Sequence, residues 1–135
     1  MLEIKELTAE DLQTIEDGLS GFDDAHMRTR LSGSVKIGVY DNDVLVGGAD
    51  ACITTHRILY VSTVFVDARC RRRGIGRLLM QEIERRAKEI GASLIRLDTF
   101  DWQGKDFYLA LGYEIVGQYE APDDGFAEYF FLKRI

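Results

Sequence analysis

The sequence predicts a mixed α/β (α+β) fold, with a central sheet of about seven strands and the element order β-α-α-β-β-β-α-β-α-β-β. Residues 35–66 contain three apolar runs separated by turn residues, which is typical of an antiparallel meander. An amphipathic helix then lies between two β-like runs, as in a β-α-β unit with parallel strands. Two further β-like runs follow a short helix, so the predicted sheet combines both kinds of strand pairing.

The first 33 residues are expected to form a short strand and two helices. The predicted strand carries three apolar residues: Leu2, Ile4 and Leu7. Thr8 is a suitable N-cap for the first helix, which should end near Ser20 and Gly21. One face of this helix carries apolar residues at helical spacing: Leu12, Ile15 and Leu19. A second helical segment is expected from Asp24 to Leu31, before the sequence Ser32-Gly33-Ser34.

The meander is expected to begin with a hairpin. Val35 to Val39 and Val44 to Ile53 are its strands, and Asp41-Asn42-Asp43 forms the turn between them. The third strand runs from Ile58 to Val66.

The longest predicted helix begins near Ile75 and ends at Gly91, because a glycine favours the left-handed conformation of a helix C-terminus. Its apolar stripe recurs at helical period: Ile75, Leu78, Leu79, Ile83, Ala87 and Ile90. The remaining elements are then expected in the following order: a strand over Ser93–Thr99, a helix over Lys105–Leu111, and strands over Tyr113–Tyr119 and Glu128–Lys133.

Length and composition point to one soluble domain covering residues 1–135, located in the cytoplasm. The apolar runs are too short for a membrane span, and no basic-then-apolar signal pattern begins the chain. Cys52 and Cys70 are expected to be free thiols. No cluster of His, Cys, Asp or Glu has metal-ligand spacing, so no metal is expected.

The segment from Arg69 to Arg77 concentrates the positive charge of the chain. It contains five arginines and no acid, so a net charge of −6 for the chain leaves −11 elsewhere. An acidic body disfavours non-specific nucleic-acid binding and fits a small anionic ligand at this segment. Gly74 and Gly76 would let a diphosphate approach backbone N–H groups at the start of the following helix.

Two motifs in order resemble the GNAT superfamily of N-acetyltransferases. The first is Arg71-x-x-Gly74-x-Gly76, which is similar to the family's Arg/Gln-x-x-Gly-x-Gly/Ala. The second is Phe107-Tyr-Leu-Ala-Leu-Gly-Tyr113, which is similar to Phe-Tyr-x-x-x-Gly-Phe/Tyr. The strand order between the motifs also agrees with that family.

The resemblance implies an acetyl-CoA-dependent N-acetyltransferase in which a primary amine attacks the thioester directly. It places the pantetheine arm along Val64–Val66 and the pyrophosphate on the arginine and glycine loop, and it makes Tyr108 the proton donor to the leaving thiolate. The implied cofactor residues are Val64, Phe65, Val66, Arg71, Arg72, Arg73, Gly74, Ile75, Gly76, Arg77 and Asp101. A non-catalytic acyl-CoA-binding or regulatory module of the same fold is the alternative.

The chain also departs from that family's pattern. Asp101-Trp-Gln-Gly104 stands where Asn-x-x-Ala is common, and the third strand of the meander carries no carboxylate general base. The base is then water, Asp98, Asp50 or Glu128. Cys70 lies between Arg69 and Arg71, and its role is open. The acceptor is expected to be a small-molecule or peptide amine, without nucleic-acid or membrane partners, and the resemblance allows a homodimer.

Overall fold

The computed structural model describes all 135 residues, which form three α-helices, one 3-10 turn and six strands. The elements in chain order are α1 (Ala9–Asp24), β1 (Ser34–Asp41), β2 (Val44–Thr55), β3 (Ile58–Val66), α2 (Ile75–Ile90), β4 (Leu94–Phe100), α3 (Lys105–Ala110), β5 (Glu114–Ala121) and β6 (Phe126–Arg134). No helix is both long enough and apolar enough to cross a membrane.

The six strands form one mixed sheet in the order β1-β2-β3-β4-β6-β5. Every neighbouring pair is antiparallel except β3 and β4, which are parallel, as the predicted β-α-β unit requires. The parallel pairing is short, because it joins only Ile58–Tyr60 to Leu94–Arg96. Beyond this point β3 and β4 separate, and a gap opens in the middle of the sheet.

The core lies on one face of the sheet, where α2 packs across β1, β2 and β3. The amphipathic stripe of α2 supplies Leu79 and Ile83, which are fully buried against Leu59, Ile95 and Phe131 of the strands. The buried stripe agrees with the predicted one except at two positions, because Leu78 is 55% exposed and Met80, which was not predicted, is buried in its place. The α3 helix contributes to the same core, so the opposite face of the sheet has no helix over it.

The prediction of seven strands is wrong by one, because the expected first strand is absent. Leu2 and Ile4 lie in a segment without regular structure and are fully exposed, so they have no neighbouring strand with which to pair. The expected second helix is also absent. After Asp24 the chain makes a turn, in which the His26 and Met27 N–H groups both donate to the Asp23 carbonyl.

The α1 helix is longer than predicted, because it continues past Ser20 to Asp24. Gly18 and Gly21 lie inside it, and a glycine in a helix interior costs only about 1 kcal/mol relative to alanine. Its start is as predicted, since the Thr8 hydroxyl accepts from the Asp11 N–H at 3.0 Å.

Candidate active site

The gap between β3 and β4 forms a cleft of about 810 Å³. The start of α2 and the helix α3 complete its walls. The lining residues are Val61–Val66, Arg71, Arg72, Gly74–Arg77, Leu97–Thr99, Trp102–Gly104, Phe107 and Tyr108. Most of the residues predicted for cofactor binding and catalysis therefore line a single cleft.

The β3 wall offers backbone groups to a ligand. Because β4 has diverged after Arg96, the cleft side of β3 from Val61 onward has no strand partner. An extended ligand can pair with such a free strand edge in place of a neighbouring strand. Val64 to Val66 lie on this stretch, and the Val66 carbonyl accepts from Arg71 Nε at 3.2 Å.

The start of α2 presents donors to the cleft. Gly74 is the N-cap residue, with φ of +78° and no side-chain cap, and the first turn contains no acid. The first helical hydrogen bond joins the Leu78 N–H to the Gly74 carbonyl at 3.0 Å. The N–H groups of Ile75, Gly76 and Arg77 therefore have no backbone acceptor, and together with the helix dipole they favour an anion.

The arginines of the loop divide into two groups. Arg71, Arg72 and Arg77 line the cleft. The structure places Arg73 outside the cleft, with its guanidinium 3.1 Å from Asp41 Oδ2, although it was predicted to contact the cofactor.

Arg69 also points away from the cleft. Its guanidinium is 3.0 Å from Asp67 Oδ2, and this ion pair lowers the pKa of the Asp67 carboxyl to about 2. Sequence composition could not separate these arginines, because the partners Asp41 and Asp67 come from outside the arginine run.

Different structural constraints explain the glycine at position 74 and the glycine at position 76. Gly74 has open space around it, and its left-handed backbone conformation is the constraint. At Gly76 an added Cβ would lie 3.0 Å from the Phe107 ring, so the helix start and α3 are in contact there. The prediction for Gly76 rested on ligand approach alone, whereas the structure adds packing against the second motif.

Tyr108 is a buried residue of the cleft wall, with 8% of its surface exposed. Its ring packs near the rings of Tyr113 and Phe131, and an added Cβ at Gly104 would lie 3.2 Å from it. The hydroxyl has no hydrogen-bond partner in the protein and is not sealed from the cleft. Burial raises the pKa of Tyr108 to about 12, so the phenol stays protonated at neutral pH and can donate.

A partly buried polar network supports the position of Tyr108. The Tyr113 hydroxyl donates to Glu84 Oε1 at 3.1 Å, and Lys133 Nζ donates to the same oxygen at 2.9 Å. Lys133 also donates to the Leu111 carbonyl at 2.8 Å. The network joins α2, β6 and the end of α3, which fixes the ring of Tyr113 beside Tyr108.

These buried tyrosines should make stability fall at alkaline pH. The native pKa of Tyr108, about 12, lies above the ordinary value of 10.0, and the pKa of Tyr113 is raised in the same direction by burial and by Glu84. The stabilisation is therefore complete below pH 10 and is lost as the pH rises toward 12.

Urea unfolding at pH 9 and pH 11 measures this effect. From pH 9 to pH 11, the free energy of unfolding of Tyr108→Phe should fall by about 1 kcal/mol less than that of the unmodified protein. Equal losses in the two proteins would contradict the assigned burial.

In the turn after β4, the side chain that faces the cleft is not the predicted Asp101. Asp101 lies outside the cleft, and its Oδ2 accepts from the Ala127 N–H at 3.1 Å. Gln103 lines the cleft instead, and its Oε1 accepts from the Phe100 N–H at 2.8 Å. The Gln103 amide N–H groups thus have no protein partner. No sequence signal identified Gln103, because only the hydrogen bonds of the folded turn decide which of these side chains faces the cleft.

The three carboxylates considered as general bases occupy different places. Asp98 lines the cleft and accepts from the Tyr60 hydroxyl at 2.9 Å. Asp50 is 2.9 Å from Lys36 Nζ on the neighbouring strand, outside the cleft. Glu128 accepts from the Tyr119 hydroxyl and does not line the cleft. Of these three carboxylates, Asp98 is therefore the one that lines the same cleft as Tyr108.

Both cysteines are free, with Cys52 exposed and Cys70 half-buried against the core. No group of three or more His, Cys, Asp or Glu side chains is arranged to hold a metal ion. The polar groups that line the cleft are backbone N–H groups, three arginines, the Tyr108 phenol, the Asp98 carboxylate, the Gln103 amide and the hydroxyls of Ser62, Thr63 and Thr99.

Comparison with known proteins agrees with this geometry. A family model described as Acetyltransferase (GNAT) family matches residues 2–113. A blasticidin-S acetyltransferase from Streptomyces morookaense is 28% identical over 131 residues, which are 92% of this chain and 96% of that protein.

Solved structures give the same result. An acetyltransferase from Bacillus cereus has a TM-score of 0.91 at 28% identity and matches 99% of this chain and 98% of its own. An aminoglycoside 6'-N-acetyltransferase complexed with coenzyme A has a TM-score of 0.65 at 21% identity and matches 75% and 72% of the two chains.

Proposed function

The chain belongs to the Acetyltransferase (GNAT) family, and on this premise we propose that it transfers the acetyl group of acetyl-CoA to a primary amine by direct attack. The observation that carries the proposal is a single cleft lined both by the anion-binding N–H groups at the start of α2 and by the neutral, partner-free hydroxyl of Tyr108. A donor with a diphosphate and a thioester needs both features.

The cleft residues fit acetyl-CoA in this arrangement. The N–H groups of Ile75, Gly76 and Arg77 would bind the pyrophosphate, with Arg72 beside them. The free edge of β3 at Val64–Val66 would pair with the amides of the pantetheine arm. The Gln103 amide would supply a donor that Asp101 does not, because Asp101 is engaged with β6.

The reaction that we propose uses two side chains of the cleft. The amine nitrogen attacks the thioester carbonyl carbon, the carbon–sulfur bond breaks, and Tyr108 donates a proton to the sulfur. Asp98, directly or through water, takes the proton that the amine loses, and solvent restores the phenol proton. Tyr108 suits the first role because its high pKa keeps it protonated.

A cationic small molecule is the acceptor class that the cleft surroundings favour. Asp98 and Glu128 lie near the Tyr60 and Tyr119 hydroxyls, which form a polar and acidic surface beside the cleft. The blasticidin-S and aminoglycoside acetyltransferases that resemble the chain bear the names of amine-containing antibiotics. Both observations support a small cationic amine over a neutral one.

A screen of amines with detection of released CoA thiol tests the proposal. We expect thiol release with at least one aminated antibiotic or polyamine, and a fall of about 10²-fold in kcat for Asp98→Asn. Asp50→Asn is the matched control, since Asp50 pairs with Lys36 away from the cleft and its loss should leave kcat unchanged. Tight CoA binding without thiol release from any amine would instead indicate a non-catalytic binding module.

A further inference from the structure

We propose that the exposed face of the Trp102 ring binds an aromatic group of the acceptor, so that the preferred acceptor is a primary amine with a planar aromatic ring. Trp102 lies in the turn after β4 and lines the cleft together with Asp98 and Tyr108. The proposal rests on the proposed acetyl transfer, since it names the acceptor of that reaction. It concerns binding, however, and binding can be measured without turnover.

Three aromatic side chains, here called the aromatic cluster, meet beside the cleft: Phe100, Trp102 and Phe126. The rings of Phe100 and Trp102 are stacked, with centroids 4.7 Å apart and planes 7° apart. The ring of Phe126 stands nearly perpendicular to both, and its centroid is 5.4 Å from that of Phe100 and 5.7 Å from that of Trp102. Because these two distances are almost equal, Phe126 lies beside the stacked pair and leaves the outer face of Trp102 uncovered.

The outer face of Trp102 is accessible to a ligand. Trp102 is 65% exposed although its inner face rests on Phe100, and it lines the cleft. A second aromatic ring can stack on such a face, and stacked rings stabilise a contact beyond the apolar area that they bury. The cleft therefore offers a flat surface to a flat group of the ligand.

The turn that carries Trp102 is held by hydrogen bonds on two sides. Within the turn, the Gln103 N–H donates to the Phe100 carbonyl at 3.0 Å, and the Phe100 N–H donates to Gln103 Oε1 at 2.8 Å. Toward β6, the Asp101 N–H donates to the Ala127 carbonyl at 3.0 Å, and the Ala127 N–H donates to Asp101 Oδ2 at 3.1 Å. The backbone under the indole is thus fixed before a ligand binds, which lowers the entropic cost of binding.

Two carboxylates lie on the same face of the sheet as the aromatic cluster. Phe100 of β4 is paired with Glu128 of β6, and Asp98 projects from the same face because it is two residues before Phe100. Asp98 and Glu128 are diagonal neighbours across the two strands, roughly 7–8 Å apart between Cα atoms. The Tyr60 and Tyr119 hydroxyls donate to these carboxylates. Their combined charge attracts the ammonium group of an amine to the border of the cluster.

Arg96 is a cation on the same face, but along β4 it lies on the far side of Asp98 from the aromatic cluster. Its guanidinium is 4.3 Å from the centroid of the Tyr60 ring. The charged side chain next to the cluster on this face of β4 is therefore a carboxylate. The buried hydroxyl of Tyr108, which has no protein partner, lines the same cleft as Trp102. An acceptor with its ring on Trp102 and its ammonium group at the carboxylates thus occupies the cleft of the proposed proton donor.

Tryptophan fluorescence tests the binding directly, because Trp102 is the only tryptophan of the chain. The probes are 2-phenylethylamine and 2-cyclohexylethylamine, which carry the same ammonium group and differ in the aromaticity of the ring. With CoA bound, the aromatic amine should change the Trp102 emission saturably at millimolar concentration. Its Kd should be lower by about threefold or more than that of the cyclohexyl amine, measured by competition. No saturable change, or equal affinities for the two amines, would overturn the proposal.

Calorimetry on two variants assigns the preference to one side chain. Trp102→Leu keeps an apolar side chain without an aromatic face, so the preference for the aromatic amine should disappear. Tyr40→Leu is the matched control, because Tyr40 is 64% exposed but lies on β1 outside the cleft, and the preference should stay unchanged. A Trp102→Leu protein that keeps the preference would refute the assignment. If that variant fails to fold, the fluorescence titration of the unmodified chain still decides the question.

Turnover separates this proposal from the acetyl transfer on which it rests. If the aromatic amine binds at Trp102 with the expected preference but no amine releases CoA thiol, the aromatic binding site stands and acetyl transfer fails. If both amines release thiol with equal kcat/KM and bind with equal affinity, acetyl transfer stands and the aromatic binding site is refuted.

Discussion

Replacing Tyr108 with Phe should lower kcat by about 10²-fold or more while the Kd of acetyl-CoA changes by less than about twofold. The substitution removes only the hydroxyl, which has no protein hydrogen bond, and keeps the ring that packs against Tyr113 and Phe131. The loss should therefore appear in the step that breaks the carbon–sulfur bond. Stopped-flow detection of thiol release, with calorimetry for cofactor binding, measures the two quantities separately.

Tyr113→Phe is the matched control for this experiment. Tyr113 is also buried, but it donates to Glu84 and does not line the cleft. Its loss should cost about 1 kcal/mol of folding stability, and kcat should stay within a few-fold of the original. A Tyr108→Phe protein with unchanged turnover would show that another group protonates the thiolate.

Replacing Arg72 with Ala should raise the Kd of acetyl-CoA by about tenfold or more, because a hydrogen bond to a charged group contributes about 1.5–3 kcal/mol. Arg72 lines the cleft and has no ion-pair partner of its own, and its backbone has a φ of +66° in the loop. The dependence of Kd on salt concentration should weaken in the same variant, since one cationic contact is lost.

Arg69→Ala is the matched control. It removes one positive charge from the loop, as Arg72→Ala does, but at a position outside the cleft. Arg69 forms its ion pair with Asp67 outside the cleft, so its loss should alter the Kd by less than about twofold. If the two variants weakened binding equally, general positive charge on the loop would explain the affinity, and the assignment of Arg72 would be wrong.

Periodicity predicted most of the sheet because each of those elements buries one face within its own chain. The stripe of α2, the meander and the parallel pair all pack on one core, so their patterns carried the information needed. Residues 1–24 show the limit of that argument. Their pattern indicated a strand and an apolar helix face, but a pattern does not specify which surface covers them, and the structure leaves both unpaired with their own chain.

The sequence predicted which segments form the site, but it could not predict which side chains of those segments face the cleft. Gly74 was predicted from the approach of a diphosphate to backbone N–H groups and Tyr108 from the second motif, and both line the cleft. Arg73 and Asp101 also fitted the local pattern, yet they bind Asp41 and the Ala127 N–H. These partners are distant in sequence, so only the folded structure could show that the two side chains face away.

The most direct test of the account is an acetyl-CoA titration followed through the backbone amide resonances of the protein. The central claim is that the free N–H groups at the start of α2 bind the pyrophosphate. It predicts saturable shifts that are largest for the amides of Ile75, Gly76 and Arg77, with one ligand bound per chain. No saturable shift at millimolar acetyl-CoA, or shifts confined to residues outside the cleft, would contradict it.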